Sequence, residues 1–169
     1  MNANMDQFTI HSGRESDGDW IARLYHDVWH ETHAPLMPKD ASELRPLAYF
    51  QTRTAHLMAK CFVGIDLNGQ GLGFCAWNGY RVGQLWLKAS ARGTGLAKLL
   101  LNQALAVINP SADRPATLDC FVENRRGLAF YRREGWQRQQ LLSLPIVDGS
   151  EIKVPFWRLE KWDAKGPAC

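Results

Sequence analysis

Residues 84–108 read QLWLKASARGTGLAKLLLNQALAVI, and this stretch decides how the chain folds. It begins with a short apolar run that is typical of a β-strand. A break of small residues, one arginine and two glycines follows. Apolar residues then recur at helical spacing, which predicts a long and mostly buried helix after a tight turn. The predicted apolar stripe consists of Leu96, Leu99, Leu100, Ala104, Val107 and Ile108.

The turn between the strand and the helix carries the chemistry of this stretch. Its sequence is Arg92-Gly93-Thr94-Gly95-Leu96-Ala97, at a helix N-terminus where backbone N–H groups lack partners and the dipole is positive. Glycines let an anion approach the backbone, and an arginine adds charged donors. The turn therefore predicts a diphosphate cradle, with a plain packing turn as the alternative. It is not a P-loop, and Lys98 replaces the third glycine of a Rossmann fingerprint.

The same hexamer resembles the [QR]-x-x-G-x-[GA] pyrophosphate motif of the GNAT acyltransferase superfamily. A second segment supports the resemblance, since residues 124–136, NRRGLAFYRREGW, are similar to the family's N-x-x-A-x-x-F-Y-x-x-x-G-[FW] pattern. Gly127 stands in place of the usual alanine. Two motifs in the correct order and spacing are more specific than either motif alone. The order of predicted elements extends the resemblance to nearly all of the chain.

Strand and helix signals run in the order strand, helix, helix, three strands, helix, strand, helix and two strands. The second predicted helix covers residues 41–59, and Asn124 is the predicted cap of the last helix, with Gly135 at its end in left-handed geometry. The predicted strands cover residues 8–11, 61–67, 71–80, 82–87, 116–122, 141–147 and 151–161. This order predicts one α/β domain over residues 1–169, with a mixed sheet of about seven strands flanked by about four helices. Residues 163–169 are expected to form a flexible tail. The GNAT resemblance implies that the fourth and fifth strands splay apart. It also implies that acetyl-CoA binds as co-substrate in the wedge between them.

The resemblance assigns roles to individual residues. Tyr131 occupies the position of the family tyrosine that protonates the departing CoA thiolate, and a phenol with a pKa of about 10 suits that transfer. The alternative is a packing aromatic beside Phe130. The cofactor contacts that the resemblance implies come from Leu85, Trp86, Leu87, Arg92, Gly93, Thr94, Gly95, Leu96, Ala97, Asn124 and Tyr131.

The general base is not identified by either motif. Many family members carry a glutamate on the fourth strand, but residues 81–87, RVGQLWL, contain no acid. Glu31, His33 and Asp119 are candidates by residue type. The alternatives are solvated loop residues for the first two and a strand or loop-end residue for the third. An amine that arrives partly deprotonated needs no dedicated base.

Two functions from different classes follow from this interpretation. The first is an N-acetyltransferase that moves an acetyl group from acetyl-CoA to a primary amine of a small-molecule or peptide acceptor by direct attack. The second is a non-catalytic CoA-binding or regulatory domain, because fold does not fix function. We expect the acceptor site near residues 30–39 and the final hairpin. Trp29, Trp86 and Trp157 are candidates for its wall, with buried core tryptophans as the alternative. Family members are often dimers, so a homodimer is compatible with the sequence.

Three histidines near the first predicted helix, residues 17–31, raise the question of a metal. His26, His30 and His33 are spaced i, i+4 and i+7, which places them together if the helix continues. No carboxylate or cysteine completes the set, so a solvated face is the alternative. We therefore expect no metal. Asp17 is the predicted cap of this helix.

Composition excludes several other classes of protein. The 169 residues are 46% hydrophobic and 22% charged with a net charge of +3, which is well short of a nucleic-acid footprint. No segment approaches the apolar length of a membrane span, and residues 1–10 lack the features of a signal peptide. Cys61, Cys75 and Cys120 lie in strand-like runs without a C-x-x-C pair. They predict buried thiols in a reducing compartment, so the expected location is cytoplasmic.

Overall fold

Seven strands form from the alternating and apolar segments of the chain in the computed structural model, which describes residues 7–163. The strands are β1 (Phe8–Ser12), β2 (Cys61–Asp66), β3 (Gly71–Asn78), β4 (Arg81–Leu87), β5 (Ala116–Phe121), β6 (Gln137–Pro145) and β7 (Lys153–Lys161). The α-helices are α1 (Gly18–Thr32), α2 (Ala41–Leu44), α3 (Leu47–Ala55), α4 (Leu96–Ile108) and α5 (Arg125–Arg133). The predicted α/β fold is confirmed. Residues 164–169 of the predicted tail lie outside the described residues.

The sheet has the strand order β1-β2-β3-β4-β5-β7-β6 and is antiparallel except where β4 meets β5. These two parallel strands share one bridged pair, between Arg81 and Thr117, beside a hydrogen bond from the Thr117 N–H to the Tyr80 carbonyl. Beyond this point they diverge. The splay that the resemblance implied is therefore observed, and it leaves unpaired strand edges at the centre of the sheet.

Two apolar cores lie on opposite faces of the sheet. One contains the buried residues of α4 and Leu128 of α5, and the other contains those of α1 and Phe50 of α3. The face of α4 that is buried differs from the predicted stripe, because Leu99 and Val107 are 36% and 55% exposed. The residues of α4 that face the core are Leu96, Leu100, Leu101, Ala104, Leu105 and Ile108.

Proline and edge effects explain two other differences from the sequence prediction. The predicted second helix is divided into α2 and α3, because Pro46 has extended backbone and serves as the N-cap of α3. The final hairpin begins at Gln137, earlier than the predicted Leu141. Strand β6 is an edge strand, and its residues 137–141 are exposed, so its first half has no apolar pattern to detect.

The predicted helix caps have different outcomes. Asp17 occupies the N-cap position of α1 as predicted, but its side chain makes no capping hydrogen bond. Its carboxylate instead accepts hydrogen bonds from the Arg14 backbone N–H at 2.8 Å and the Trp20 indole at 3.1 Å. The Asn124 cap of α5 is confirmed, since its Oδ1 accepts from the Gly127 N–H at 2.9 Å. The left-handed backbone predicted after α5 is confirmed by Gly135, with φ of 84°.

The thiols and the helix lengths are also informative. Cys61, Cys75 and Cys120 are buried and free, as the sequence predicted. Burial is the largest cause of the raised pKa of each thiol. Within residues 7–163, none of the helices has both the length and the apolar character that crossing a membrane requires.

Candidate active site

A cavity of about 600 Å³ lies where β4 and β5 diverge. Its walls come from α1, α3, β4, β5, the glycine turn, α5 and the connection between β6 and β7. The predicted cofactor residues that line it are Leu85, Trp86, Leu87, Arg92, Gly93, Ala97, Asn124 and Tyr131. Two motifs that are separated along the chain therefore meet at one cavity.

The glycine turn presents open backbone to this cavity. Gly93 and Gly95 have φ of 79° and 90°, a conformation that side chains with a Cβ rarely adopt. Nothing lies within 4 Å of the position that a Cβ would take at Gly93. The helix α4 begins directly after Gly95, so its first N–H groups, which have no intrahelical acceptor, adjoin the cavity. This arrangement suits the approach of a phosphate to the backbone.

Three of the predicted cofactor residues do not line the cavity. The Leu96 side chain is fully buried in the core, so this residue offers only its backbone to a ligand. The Thr94 hydroxyl donates to the Ala91 carbonyl at 2.8 Å and accepts from the Leu96 N–H at 3.4 Å. Thr94 thus shapes the turn, and Gly95 supplies its left-handed backbone.

Arg92 lies at the rim of the cavity, and its two Nη atoms have different surroundings. Its Nη1 is 2.9 Å from Oε1 of Glu31, whereas Nη2 is buried and has no hydrogen-bond partner among the described residues. Arg126 lines the same cavity. Desolvation and the positive charge of Arg92 lower the pKa of Arg126, and the charge of Glu31 opposes this shift. The rim therefore carries two guanidinium groups against one carboxylate, which fits a diphosphate.

Tyr131 projects from α5 into the same cavity. Its ring packs against Phe130 at 5.2 Å and Trp136 at 5.9 Å between ring centroids. Burial, with smaller effects of the Cys120 and Cys75 thiols, raises the pKa of Tyr131. The phenol is therefore protonated at neutral pH, and its hydroxyl has no hydrogen-bond partner within residues 7–163.

Asn124 and Gly127 explain the departure of the second motif from the family pattern. The Asn124 side chain caps α5 and lines the cavity. A Cβ added to Gly127 would come within 2.5 Å of Asn124 Nδ2. Glycine at this position therefore allows the cap and the cavity wall to share one side chain.

The three candidate bases have different surroundings. Asp119 is 3% exposed and is paired with Arg81 at 2.6 Å and with Arg158, which approaches both carboxylate oxygens. Glu31 is paired with Arg92. These contacts favour structural roles for both carboxylates.

His33 is half-buried in the cavity, so the expectation of a solvated loop residue is wrong for it. Its Nδ1 lies 2.8 Å from Oγ1 of Thr32, whose hydroxyl donates to the Val28 carbonyl at 2.6 Å. Because the Thr32 proton is used on Val28, its oxygen accepts from His33, which places the His33 proton on Nδ1. The lone pair of Nε2 is then free to accept a proton or a hydrogen bond.

The charge state of His33 follows from its neighbours. Its ring packs against Trp86 at 4.9 Å and Phe121 at 6.0 Å. Burial, and then the positive charges of Arg45 and Arg126, lower the pKa of His33 to about 4. The imidazole is therefore neutral at pH 7.

The sequence matches a known protein family along most of its length. Residues 21–136 match the sequence model of a family described as the Acetyltransferase (GNAT) family. The match covers more than half of the chain and ends at Trp136, the last residue of the second motif. The chain belongs to the GNAT acetyltransferase family. The family resemblance drawn from the two motifs is thus confirmed.

Solved structures of other proteins show the same fold at low sequence identity. The apo form of YjaB from Escherichia coli has a TM-score of 0.71 at 19% identity, over 90% of this chain and 96% of that one. PaiA N-acetyltransferase from Thermoplasma acidophilum, in complex with coenzyme A, has a TM-score of 0.67 at 15% identity. The match covers 92% of this chain and 98% of that one. YncA from Salmonella typhimurium, a putative acetyltransferase with its cofactor acetyl-CoA, has a TM-score of 0.65 at 14% identity. The match covers 96% of this chain and 97% of that one. No curated protein matches the chain.

The other two histidines of the predicted trio in this GNAT domain have protein partners. His30 Nε2 lies 2.9 Å from the Arg45 carbonyl, and His26 Nδ1 lies 2.7 Å from Oδ1 of Asp27. The His26 and His30 rings pack at 4.3 Å between centroids. Within residues 7–163, no group of three or more His, Cys, Asp or Glu side chains is arranged to hold a metal.

The acceptor wall differs in part from the expectation. Trp29 and Trp86 line the cavity as predicted, but Trp157 does not. Because side chains alternate along β7, Phe156 and Arg158 face the cavity and Trp157 faces the other core, under Arg138.

Arg45 and Arg53 line the cavity, and neither was predicted from the sequence. The Nε of Arg45 donates to the Ile146 carbonyl at 2.9 Å, and Arg53 lies over the Tyr49 ring at 5.4 Å. Arg45, Tyr49 and Arg53 recur every four residues, which is the signal that could have identified one cavity-facing side. Pro46 obscures it, because it separates Arg45 from α3.

Proposed function

We propose that this GNAT protein moves an acetyl group from acetyl-CoA to a primary amine of a small-molecule or peptide acceptor. The observation that carries the proposal is the meeting of the glycine turn, Arg92 and Tyr131 at one cavity. These parts come from separate segments of the chain, and each has a property that acetyl transfer needs. Membership of the acetyltransferase family supports the same conclusion, as do fold neighbours whose structures contain coenzyme A or acetyl-CoA.

The residues at the rim fit the diphosphate of coenzyme A. Gly93 leaves room for a phosphate at the backbone. Helix α4 begins beside it, so the first N–H groups and the positive end of the helix dipole favour a phosphate at this turn. The unpartnered Nη2 of Arg92 supplies a donor that is costly to leave unsatisfied. Arg126 adds a second positive charge. These groups would hold the cofactor with its thioester directed into the wedge.

Direct transfer forms one bond and breaks another. The amine nitrogen bonds to the thioester carbonyl carbon, the carbon–sulfur bond breaks, and the electron pair of that bond leaves on the thiolate. The nitrogen loses a proton, and the thiolate gains one. Acetyl-CoA supplies the activated acyl group, so the protein must position the two reactants and move two protons.

Tyr131 is the proposed donor of the proton that the thiolate gains. Burial keeps the phenol protonated, which is the state that a general acid needs. The raised pKa makes it a weaker acid than a phenol in water. A thiolate that forms in the same poorly solvated wedge becomes more basic for the same reason, so the match between donor and acceptor is retained.

His33 is the proposed acceptor of the proton that the amine loses. His33 lines the cavity and keeps a free Nε2 lone pair, whereas Glu31 and Asp119 are paired with arginines. The pKa of His33 is low partly because of Arg45 and Arg126. Anionic groups bound beside these arginines would offset their charge and make His33 a better base. A fall in kcat without loss of acetyl-CoA affinity in His33→Asn would support this role.

The alternative is a CoA-binding domain without catalysis, and one observation favours it. Strand β4 carries no carboxylate, so the base found in many family members is missing. Such a domain would bind acetyl-CoA as tightly but would transfer no acetyl group.

One experiment separates the two functions. Calorimetric titration of acetyl-CoA into the purified protein measures binding, and a panel of primary amines with acetyl-CoA measures thiol release and acetylated product. The enzyme predicts binding and product that matches thiol release one for one. Binding without product from any amine would favour the non-catalytic domain, and the absence of binding would contradict both.

A further inference from the structure

Among the arginines that line the cavity, two pairs lie at different places. Arg92 and Arg126 lie at the glycine turn, where the diphosphate is proposed to bind. Arg45 and Arg53 lie on the segment around α3, and Arg45 contacts the connection between β6 and β7. His33 lines the same cavity, and the charges of both Arg45 and Arg126 lower its pKa, so one member of each pair acts on this ring. The second pair is therefore at the acceptor side of the wedge.

Arg45 and Arg53 have no carboxylate partner. Neither guanidinium forms an ion pair with an acidic side chain among the described residues. Asp148 is exposed, and its effect on the pKa of either arginine is the smallest of those acting there. Burial of Arg45, the largest influence on it, lowers its pKa. Two positive charges in a partly desolvated cavity are stabilised when an anion binds between them.

The contacts of these arginines hold them in place without neutralising them. Arg45 donates to the Ile146 carbonyl and lies over the Trp29 ring at 4.8 Å and the Tyr49 ring at 5.2 Å. Arg53 lies on the same Tyr49 ring and beside the Tyr25 hydroxyl. Aromatic faces and a carbonyl restrict both side chains while leaving donors free. Pre-positioned, unneutralised guanidinium groups of this kind suit recognition of a carboxylate.

Resting on the proposed function, we propose that the acetyl acceptor is an amine that also carries a carboxylate, which binds Arg45 and Arg53. The rings of Tyr25, Tyr49 and Trp86 form an apolar wall for the body of the same molecule. The positive charges also favour the neutral form of the amine over its ammonium form. An amino acid has this chemistry, whereas a peptide N-terminus has no carboxylate beside its amine.

Matched pairs of amines test the charge requirement. Phenylalanine, methionine and tryptophan are each compared with their carboxamides, with acetylated product and thiol release as readouts. The proposal predicts kcat/KM values about 10-fold to 100-fold higher for the acids than for the carboxamides, as expected for hydrogen bonds to a charged group. Carboxamides that are accepted equally well or better would overturn it and favour a peptide acceptor, although acetyl transfer itself would stand.

A binding measurement covers the case in which no member of this panel is acetylated. Phenylacetate and phenylacetamide have nearly the same shape and differ in charge. Ligand-observed NMR with the CoA-loaded protein should show binding of phenylacetate at least about 10-fold tighter than that of phenylacetamide. Equal binding, or no binding of phenylacetate at millimolar concentration, would overturn the carboxylate site.

Variants assign the effect to the arginines. Arg53→Gln should remove the preference for phenylacetate and for the acids while leaving acetyl-CoA affinity unchanged. Arg23→Gln is the matched control, because Arg23 pairs with Asp19 on the exposed face of α1. If Arg53→Gln instead weakened acetyl-CoA and left the preference intact, Arg53 would serve the cofactor phosphates and the proposal would be wrong. Loss of acetyl-CoA binding in the unmodified protein would count against the proposed function instead.

Discussion

Arg92 is the single residue whose partners we expect to change most when a diphosphate binds. Its Nη1 is held by Glu31, and its Nη2 is buried without a partner in the described part of the chain. The sequence identified Arg92 because it belongs to a short local motif. The ion pair with Glu31 was not predictable, because the two residues are 61 positions apart and meet only in the folded chain.

Replacement of Arg92 by alanine should therefore cost roughly 1.5–3 kcal/mol of affinity for coenzyme A, the range for hydrogen bonds to a charged group. Pantetheine lacks the diphosphate and should bind both proteins equally. Isothermal titration of the two ligands into the wild type and Arg92→Ala measures the difference. If both ligands lost affinity to the same extent, Arg92 would act through the stability of the site rather than through the diphosphate.

At the scale of elements, the strand, turn and helix from β4 to α4 carry the most information in the sequence. Apolar periodicity predicted both elements, and the glycines predicted the turn with its two positive φ angles. Strands β2, β3 and β5 were predicted within two residues of their ends, because each is a short apolar run bounded by turn residues. The buried face of α4 was predicted incorrectly at Leu99 and Val107, since an almost wholly apolar helix has no polar face that orients it.

Replacement of Gly95 by valine tests this element. The left-handed backbone costs a residue with a Cβ about 1–2 kcal/mol, which a domain of ordinary stability tolerates. The added side chain lies beside the first N–H groups of α4, so acetyl-CoA affinity should fall by about tenfold or more. Isothermal titration of acetyl-CoA into the folded Gly95→Val variant measures this loss of affinity.

Gly69→Val is the matched control for this variant. Gly69 has φ of 80° in the turn between β2 and β3, does not line the cavity, and has nothing within 4 Å of a Cβ. The Gly69→Val variant should lose about as much stability as Gly95→Val and should bind acetyl-CoA with wild-type affinity. Equal affinities of Gly95→Val and the wild type would remove the glycine turn from the cofactor site.

At the scale of the whole molecule, the acceptor side of the cavity is assembled from distant segments. His33 follows α1, Arg45 precedes α3, and Ile146 lies in the final hairpin. None of these belongs to a local motif, so the sequence suggested the region, and Pro46 obscured the four-residue recurrence that marks its arginines. The same packing sets the charge state of His33.

The buried imidazole makes the stability of the whole domain depend on pH. The folded-state pKa of His33 is about 4, and its ordinary value is 6.5, so the unfolded chain binds more protons between these pH values. The free energy of unfolding is therefore highest above pH 6.5, where His33 is neutral in both the folded and the unfolded chain. It falls by on the order of 3 kcal/mol as the pH decreases to 4, because protons bind the unfolded chain first.

Denaturant unfolding at pH 7 and pH 4 should therefore show a larger loss of stability for the wild type than for His33→Asn. His56→Asn is the control, because His56 is exposed at the end of α3 and should leave the loss unchanged. An identical loss in the wild type and His33→Asn would mean that the imidazole is not held neutral by the fold.

The rate of acetyl transfer in Tyr131→Phe, measured together with its acetyl-CoA affinity, tests the central claim most directly. The substitution removes only the hydroxyl and keeps the packing against Phe130 and Trp136. We predict nearly unchanged affinity and a kcat lower by about 10²–10⁴, the usual contribution of a positioned proton donor. Turnover equal to that of the wild type would contradict the account, because Tyr131 would then be a core aromatic and not the acid of the reaction.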